Sequence, residues 1–233
     1  MNGRRIFVTG TDTGVGKTRI ATALCRAFAA ANQRVAAMKP VATGSVRTRD
    51  GLRNADAMAL MGAMNVSAPY ADVNPYAFEP AIAPHIAAAE AGVRIEFDVL
   101  SRCYERLARG SEATIVEGAG GWLAPLGPTQ TFADLAESWN LDVILVVSLR
   151  LGCLNHALLT AESIERRGVR LYGWVGNSVD AAMERRDENI AALRSRIAAP
   201  CMGTFGYAPA EDAGAVAAVL GPMLGLSERA MVP

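Results

Sequence analysis

Nine consecutive residues carry the strongest chemical signal in this chain: Gly10-Thr11-Asp12-Thr13-Gly14-Val15-Gly16-Lys17-Thr18. Small residues here let backbone N–H groups turn inward around phosphate oxygens, and a helix beginning at Lys17 adds the positive end of its dipole. In such a loop the Lys17 ammonium reaches the β- and γ-phosphates and the Thr18 hydroxyl ligates magnesium. The spacing is a variant of GxxxxGK[ST]: Gly10 stands one residue early, and Thr11 occupies the expected glycine position. A GxGxxG dinucleotide fingerprint is absent from the loop, which argues against a Rossmann cofactor site.

The basic residues sharpen this picture. Of 23 Lys and Arg residues, only Lys17 and Lys39 are lysine. Arginine is planar and wide, whereas lysine is a slim point charge on a flexible stem, so both positions point to a need for an ammonium. Lys39 ends an apolar run before Pro40. There it can neutralise charge developing on a transferred phosphoryl group or a carboxylate. Glu117 ends another apolar run and precedes Gly118-Ala119-Gly120-Gly121-Trp122. An acid at a strand tip is where nucleotide-bound magnesium is commonly met, and the glycines allow backbone to approach a ligand closely. Asp56 is expected to open a short helix over 54–61, where it either faces this cleft or simply favours the helix dipole.

The elements that must position these groups alternate along the chain. Strands are expected over 5–9, 34–38, 113–117, 143–148, 171–175 and 201–205. Helices are expected over 17–31, 96–109, 133–139, 155–167 and 184–197, with a last one near Ala213. Near-continuous apolar strands alternating with helical patterns indicate an α/β, P-loop NTPase fold: a mostly parallel β-sheet with helices on both faces. Ligands then bind at the carboxyl ends of the strands. The stretch 42–84, rich in turn formers, reads as a long functional loop. With 233 residues and 51% hydrophobic content the expectation is one domain, 1–233.

Composition excludes several classes. The formal net charge is zero, so nothing draws the chain to nucleic acid or to an anionic membrane. Cys25, Cys103, Cys153 and Cys201 are scattered, which suggests neither a zinc site nor a disulfide framework. The early first strand leaves no room for a signal peptide and no apolar run is long enough to span a bilayer, so a cytoplasmic protein is expected.

Several stretches taken together resemble the dethiobiotin synthetase family. They are the loop from Gly10 to Thr18, Lys39-Pro40-Val41-Ala42-Thr43-Gly44-Ser45, Gly51-Leu52-Arg53-Asn54-Ala55-Asp56-Ala57, Val73-Asn74-Pro75-Tyr76, Ala83-Pro84-His85, Glu117 to Trp122, and Leu151-Gly152-Cys153-Leu154-Asn155-His156. The resemblance implies a reaction: 7,8-diaminopelargonic acid, CO2 and ATP yield dethiobiotin, ADP and phosphate through a carbamate and a carbamic-phosphoric anhydride. It implies ATP contacts at Thr13, Gly14, Val15, Gly16, Lys17, Thr18, Arg19, Asp56, Glu117, Gly118, Ala119 and Gly120, with Asn177 and Ser178 near the adenine. Mg2+ falls to Thr18, Asp56 and Glu117, and catalysis to Lys17 and Lys39. Thr43, Gly120 and the helix start at Gly152, Cys153, Leu154 and Asn155 are implied for the substrate, the last four supplied by a second subunit of a homodimer. A plain N-cap is a further role for Asn155. His85 and His156 receive no chemistry.

The chain departs from the family pattern at three places. Asn177-Ser178 stands where Asn-Asp is frequent, Phe205-Gly206-Tyr207 where a proline is frequent (Pro209 lies further on), and Gly14 where some relatives carry glutamate. Other phosphate-loop classes fit less well. A partition or cell-division ATPase switch, the main alternative, needs a lysine where Asp12 stands. A GTPase needs a lysine inside Asn177-Ser178-Val179-Asp180, and a cobyrinate amide synthetase needs a further domain.

Overall fold

A computed structural model describes residues 3–179, 183–207 and 213–226. In chain order the elements are β1 (Arg4–Gly10), α1 (Lys17–Ala30), β2 (Val35–Met38), β3 (Val41–Ala42), β4 (Val46–Thr48), β5 (Gly51–Arg53), α2 (Ala55–Ala63), α3 (Tyr70–Val73), β6 (Tyr76–Ala77) and α4 (Pro84–Glu90). They continue as α5 (Phe97–Arg109), β7 (Ala113–Glu117), α6 (Phe132–Ser138), β8 (Asp142–Leu149), α7 (Cys153–Arg166), β9 (Leu171–Ser178), α8 (Arg186–Arg196), β10 (Cys201–Phe205) and α9 (Ala213–Met223). Asp180 and Pro209 lie outside the described residues.

The main sheet has the order β10-β9-β8-β1-β7-β2, and all its pairings are parallel. Side chains alternate between two covered faces. Ile6 and Val8 of β1 pack with Ile20, Leu24 and Phe28 of α1 and Leu220 of α9. Phe7 packs on the opposite face with Phe132 and Leu135 of α6. Leu145, Val147 and Trp174 extend that face under α7 and α8, where Ile190 and Leu193 meet them. Burial on both faces is why the strands read as unbroken apolar runs.

Register delivers the chemistry to one edge. Met38 pairs with Val116 and Val8 pairs with Glu117, so the chain leaving β2 at Lys39 emerges beside Glu117 and beside the loop that follows Gly10. Gly118 must be a glycine for space: a Cβ there would stand 2.9 Å from the Phe7 ring.

Two expectations change. Within the stretch 42–84 the helix expected over 54–61 is present as α2, but a parallel pair (β3 with β6), a small antiparallel hairpin (β4 with β5) and the short helix α3 were not expected there. Strands of two or three residues are too short to leave a period in sequence. Asn155 is not an N-cap: α7 starts two residues earlier, at Cys153, capped by Gly152 at φ 92°.

Phe7 is fully enclosed, with Trp122 edge-on at 6.1 Å and Phe132 at 6.3 Å. Phe7→Ala is expected to cost about 3–5 kcal/mol. Urea denaturation should show a lower midpoint at unchanged slope.

Candidate active site

The phosphate loop is held open by its own backbone and by one side chain from a distant strand. Gly16, the residue before α1, lies at φ 94°, and no side chain caps that helix. The orphan N–H groups of its first turn therefore face the loop. A Cβ on Gly16 would sit 2.2 Å from the Asn177 amide nitrogen, so glycine is needed for space as well as conformation. That amide donates to the Val15 carbonyl at 2.8 Å, and its oxygen accepts from Arg19 at 2.8 Å. Arg19 also donates to the Gly206 carbonyl at 3.0 Å.

Lys17 is buried, and its ammonium donates to the carbonyls of Asp12 at 2.9 Å and Gly120 at 2.6 Å. Burial, reinforced by the nearby Lys39 charge, lowers its pKa to about 8, and Glu117, Asp56 and Asp12 recover only part of the loss. The Lys17 ammonium thus has carbonyl dipoles as its hydrogen-bond acceptors, in a concave loop.

Lys39 sits deeper and is better paired. Its ammonium donates to Glu117 Oε1 at 2.5 Å, Asp56 Oδ2 at 2.9 Å and the Gly118 carbonyl at 3.2 Å. Burial works against this charge, but the Glu117 and Asp56 carboxylates outweigh it and hold the lysine above its ordinary range. Burial also disfavours charge on Asp56, and Lys39 with Thr18 reverses that, holding the carboxyl below its usual range. Thr18 donates its hydroxyl to Glu117 Oε1 at 2.8 Å. Asp56 reaches the site because Asn54 caps α2, its side-chain oxygen accepting from the N–H groups of Asp56 and Ala57.

These groups line one cleft of about 730 Å³. Of the residues expected in the site, Thr13, Gly14, Gly16, Lys17, Thr18, Lys39, Thr43, Asp56, Glu117, Ala119 and Gly120 form its walls. Val15 turns into the core, while Gly118 contributes its carbonyl to Lys39. Asn177 is committed to bracing the loop from behind, and the Ser178 hydroxyl accepts from Arg186 at 3.1 Å. Gly152, Cys153, Leu154 and Asn155 are not cleft walls: the Cys153 side chain is buried under α7, and Gly152 and Asn155 face outward.

Magnesium fits the donors present. Glu117 Oε2 is buried without a hydrogen-bond partner among the described residues. With the Thr18 hydroxyl and Asp56 it makes an all-oxygen set. Among the described residues no three His, Cys, Asp or Glu gather into a metal cage.

Sequence reasoning missed Arg150, Asn54, Tyr70 and Asn74. Arg150 pairs with Asp12 of the loop at 2.8 Å. Asn54 carried a legible signal, a capping residue directly before a helix bearing the acid. Asn74 stood in the family-like stretch Val73–Tyr76 with no role attached to it, and Tyr70 carried no signal beyond its place in a turn-rich stretch.

Comparison with known proteins places this geometry in a lineage. Residues 4–213 match the family model described as an AAA domain (AAA_26). The chain is 47% identical over 211 residues, 91% of this chain and 94% of the relative, to the ATP-dependent dethiobiotin synthetase BioD of Xanthomonas oryzae pv. oryzae. It is 52% identical over 198 residues, 84% of this chain and 87% of the relative, to the ATP-dependent dethiobiotin synthetase BioD of Pseudomonas paraeruginosa. Among solved structures, the MinD cell division protein of Aquifex aeolicus shares the fold at a TM-score of 0.60 and 15% identity, covering 95% of this chain and 97% of that one.

Lys17 generates a pH signature. Phosphate oxygens stabilise its charged form, so binding a triphosphate raises a pKa that starts at about 8. Below that pH the free ammonium is already charged, whereas above it binding must take up a proton. Calorimetry in two buffers of different ionisation enthalpy should show proton uptake at about pH 8.5 and affinity falling with further rise in pH. Lys17→Met should abolish the uptake.

Proposed function

The chain belongs to the ATP-dependent dethiobiotin synthetases, and from that premise we propose that it closes the ureido ring of dethiobiotin in biotin biosynthesis, using 7,8-diaminopelargonic acid, CO2, ATP and Mg2+. One observation supports the assignment of roles above all others: the chain's two lysines converge on one cleft with Glu117, Asp56 and the phosphate loop. We take residues 1–233 as one domain acting in the cytoplasm; no described helix is long and apolar enough to cross a membrane.

One substrate amine adds to CO2, loses a proton and becomes a carbamate. A carbamate oxygen then takes the γ-phosphoryl group and ADP departs. The second amine attacks the carbonyl carbon, phosphate leaves and the ring closes. Lys17 and the backbone N–H groups of the loop hold the terminal phosphate. Lys39, kept charged by its two carboxylates, stands where an ammonium can follow negative charge from carbamate to phosphoryl oxygens. Positioning and charge neutralisation supply most of the barrier lowering in such transfers. Bound Mg2+ would be held by Thr18, Asp56 and Glu117 and would supply charge neutralisation at the phosphate oxygens.

Thr13, Thr43 and Gly120 border the space left for the substrate. The α7 start at Gly152, Cys153, Leu154 and Asn155 lies outside the chain's own cleft, and Leu151 beside it is 95% exposed. A second copy of the chain presenting this helix N-terminus to a substrate carboxylate accounts for both facts. Asn177 contributes by bracing the phosphate loop rather than by presenting a free amide to a base.

The test is mass-spectrometric detection of dethiobiotin from 7,8-diaminopelargonic acid, labelled bicarbonate, ATP and magnesium, with GTP and CTP in parallel. Label in the ureido carbon is the expected result. ATP hydrolysis without product would sink the proposal and favour a switch ATPase. Lys17→Ala and Lys39→Ala should each lower turnover by about a hundredfold or more. Lys39→Ala should also lower the melting temperature, because it strands buried Glu117. Lys39→Arg should keep the charge yet lose turnover, since a planar guanidinium cannot reproduce the point contacts of the ammonium with Glu117, Asp56 and the Gly118 carbonyl.

A further inference from the structure

The stretch between β2 and α4 does more than cover the cleft. Asn74, 3% exposed, donates from Nδ2 to the carbonyls of Lys39 at 2.7 Å and Tyr76 at 3.1 Å. Its Oδ1 accepts from the Tyr70 hydroxyl at 2.8 Å. The same hydroxyl oxygen accepts from the Asn54 N–H at 2.8 Å. Asn54 in turn caps the helix that carries Asp56, accepting from its N–H at 3.0 Å. The Asp56 carboxylate meets the Lys39 ammonium at 2.9 Å, which closes the circuit on the residue where it began.

Every link uses a group that is then satisfied. The Tyr70 hydroxyl donates once and accepts once, and the Asn74 amide uses both ends. Asn54 also donates from Nδ2 to the Thr43 carbonyl at 3.1 Å, and the Arg53 guanidinium lies 4.2 Å over the Tyr70 ring. Fully satisfied networks of this kind admit one geometry, because any shift leaves a polar group unpaired. Neither Tyr70 nor Asn74 lines the cleft.

We propose that Tyr70 and Asn74 are positioning residues that set Lys39 and Asp56 against each other, so that the backbone and the ammonium of Lys39 are fixed from opposite ends of one hydrogen-bonded ring. The kinetic part of this proposal rests on the reading of Lys39 as the group that neutralises developing charge. The geometric part does not. A misplacement of about 1 Å in such a group costs up to roughly a hundredfold in rate.

Tyr70→Phe removes one oxygen and keeps the ring under Arg53, and Asn74→Ala removes the other member. The chain's two lysines make the test direct, because protein made with 13C-labelled lysine gives only two side-chain signals. In Tyr70→Phe the Lys39 side-chain signal should move and broaden at a fixed pH while that of Lys17 stays in place, because only Lys39 belongs to the ring. The kcat for dethiobiotin formation should fall about tenfold or more with KM for ATP within about twofold. Leu193→Ala, a core change under α8, provides a variant destabilised without touching the ring, and it should move neither the lysine signals nor kcat.

A wild-type Lys39 signal together with wild-type kcat in Tyr70→Phe would overturn the proposal. So would changes in both lysines together with a parallel rise in KM, which a merely structural staple produces. The lysine readout needs no product: a selective Lys39 shift in a protein that makes no dethiobiotin would uphold the ring and sink the functional reading alone.

Discussion

A lysine ammonium enclosed to 3% exposure at the rim of a parallel sheet cannot stand alone. Moving an unpaired charge from water into such a place costs several kcal/mol even after relaxation. Glu117, itself fully buried, and Asp56 meet that cost. Much of the surrounding structure follows from the need to bring both carboxylates to Lys39. The β2–β7 register supplies Glu117, the Asn54 cap turns Asp56 inward, and Thr18 fills a remaining lone pair of Glu117. Such a triad adds little net stability compared with an apolar filling. What it provides is charge already in place, with no reorganisation required when a reaction moves charge nearby.

The two lysines show how one physical effect leads to opposite outcomes. Burial disfavours the charge on both. Lys39 has carboxylates in contact, so its ammonium is held firmly. Lys17 has only carbonyls in contact, and the Lys39 charge stands nearby, so its proton is loosely held. The difference separates a firmly held local cation from one that gives up its proton more readily. The two lysines of a sequence that otherwise uses arginine thus stand in one cleft with opposite pairing.

Fold and family answer different questions here. A TM-score of 0.60 at 15% identity to a cell division protein says that the fold is shared, and fold alone does not carry function. Identities of 47% and 52% over most of the chain place it among the dethiobiotin synthetases. The parts that differ between such uses of one fold are the strand-end loops, and here the stretch between β2 and α4 supplies Thr43 and Asp56 and the ring that holds Lys39.

Much of this was legible in residues taken one after another. Parallel strands covered on both faces leave unbroken apolar runs, so six strands and the residues at their tips could be located without coordinates. A loop of small residues closed by Gly16-Lys17-Thr18 announces its ligand because only backbone N–H groups and a slim ammonium suit phosphate at that distance. The rest was decided by tertiary structure. Lys39 and Glu117 are 78 positions apart, and only the pairing of β2 with β7 makes them partners. Asn177, 162 positions from Val15, becomes a brace for the phosphate loop through the placement of β9 in the sheet. The strands within 42–84 are too short to carry a period, and what Tyr70 and Asn74 bond to is decided only when folding closes a ring of hydrogen bonds around them. Local pattern records which face of an element is buried. Which polar atoms then meet across that burial depends on register and packing, and those arise only when distant segments are brought together.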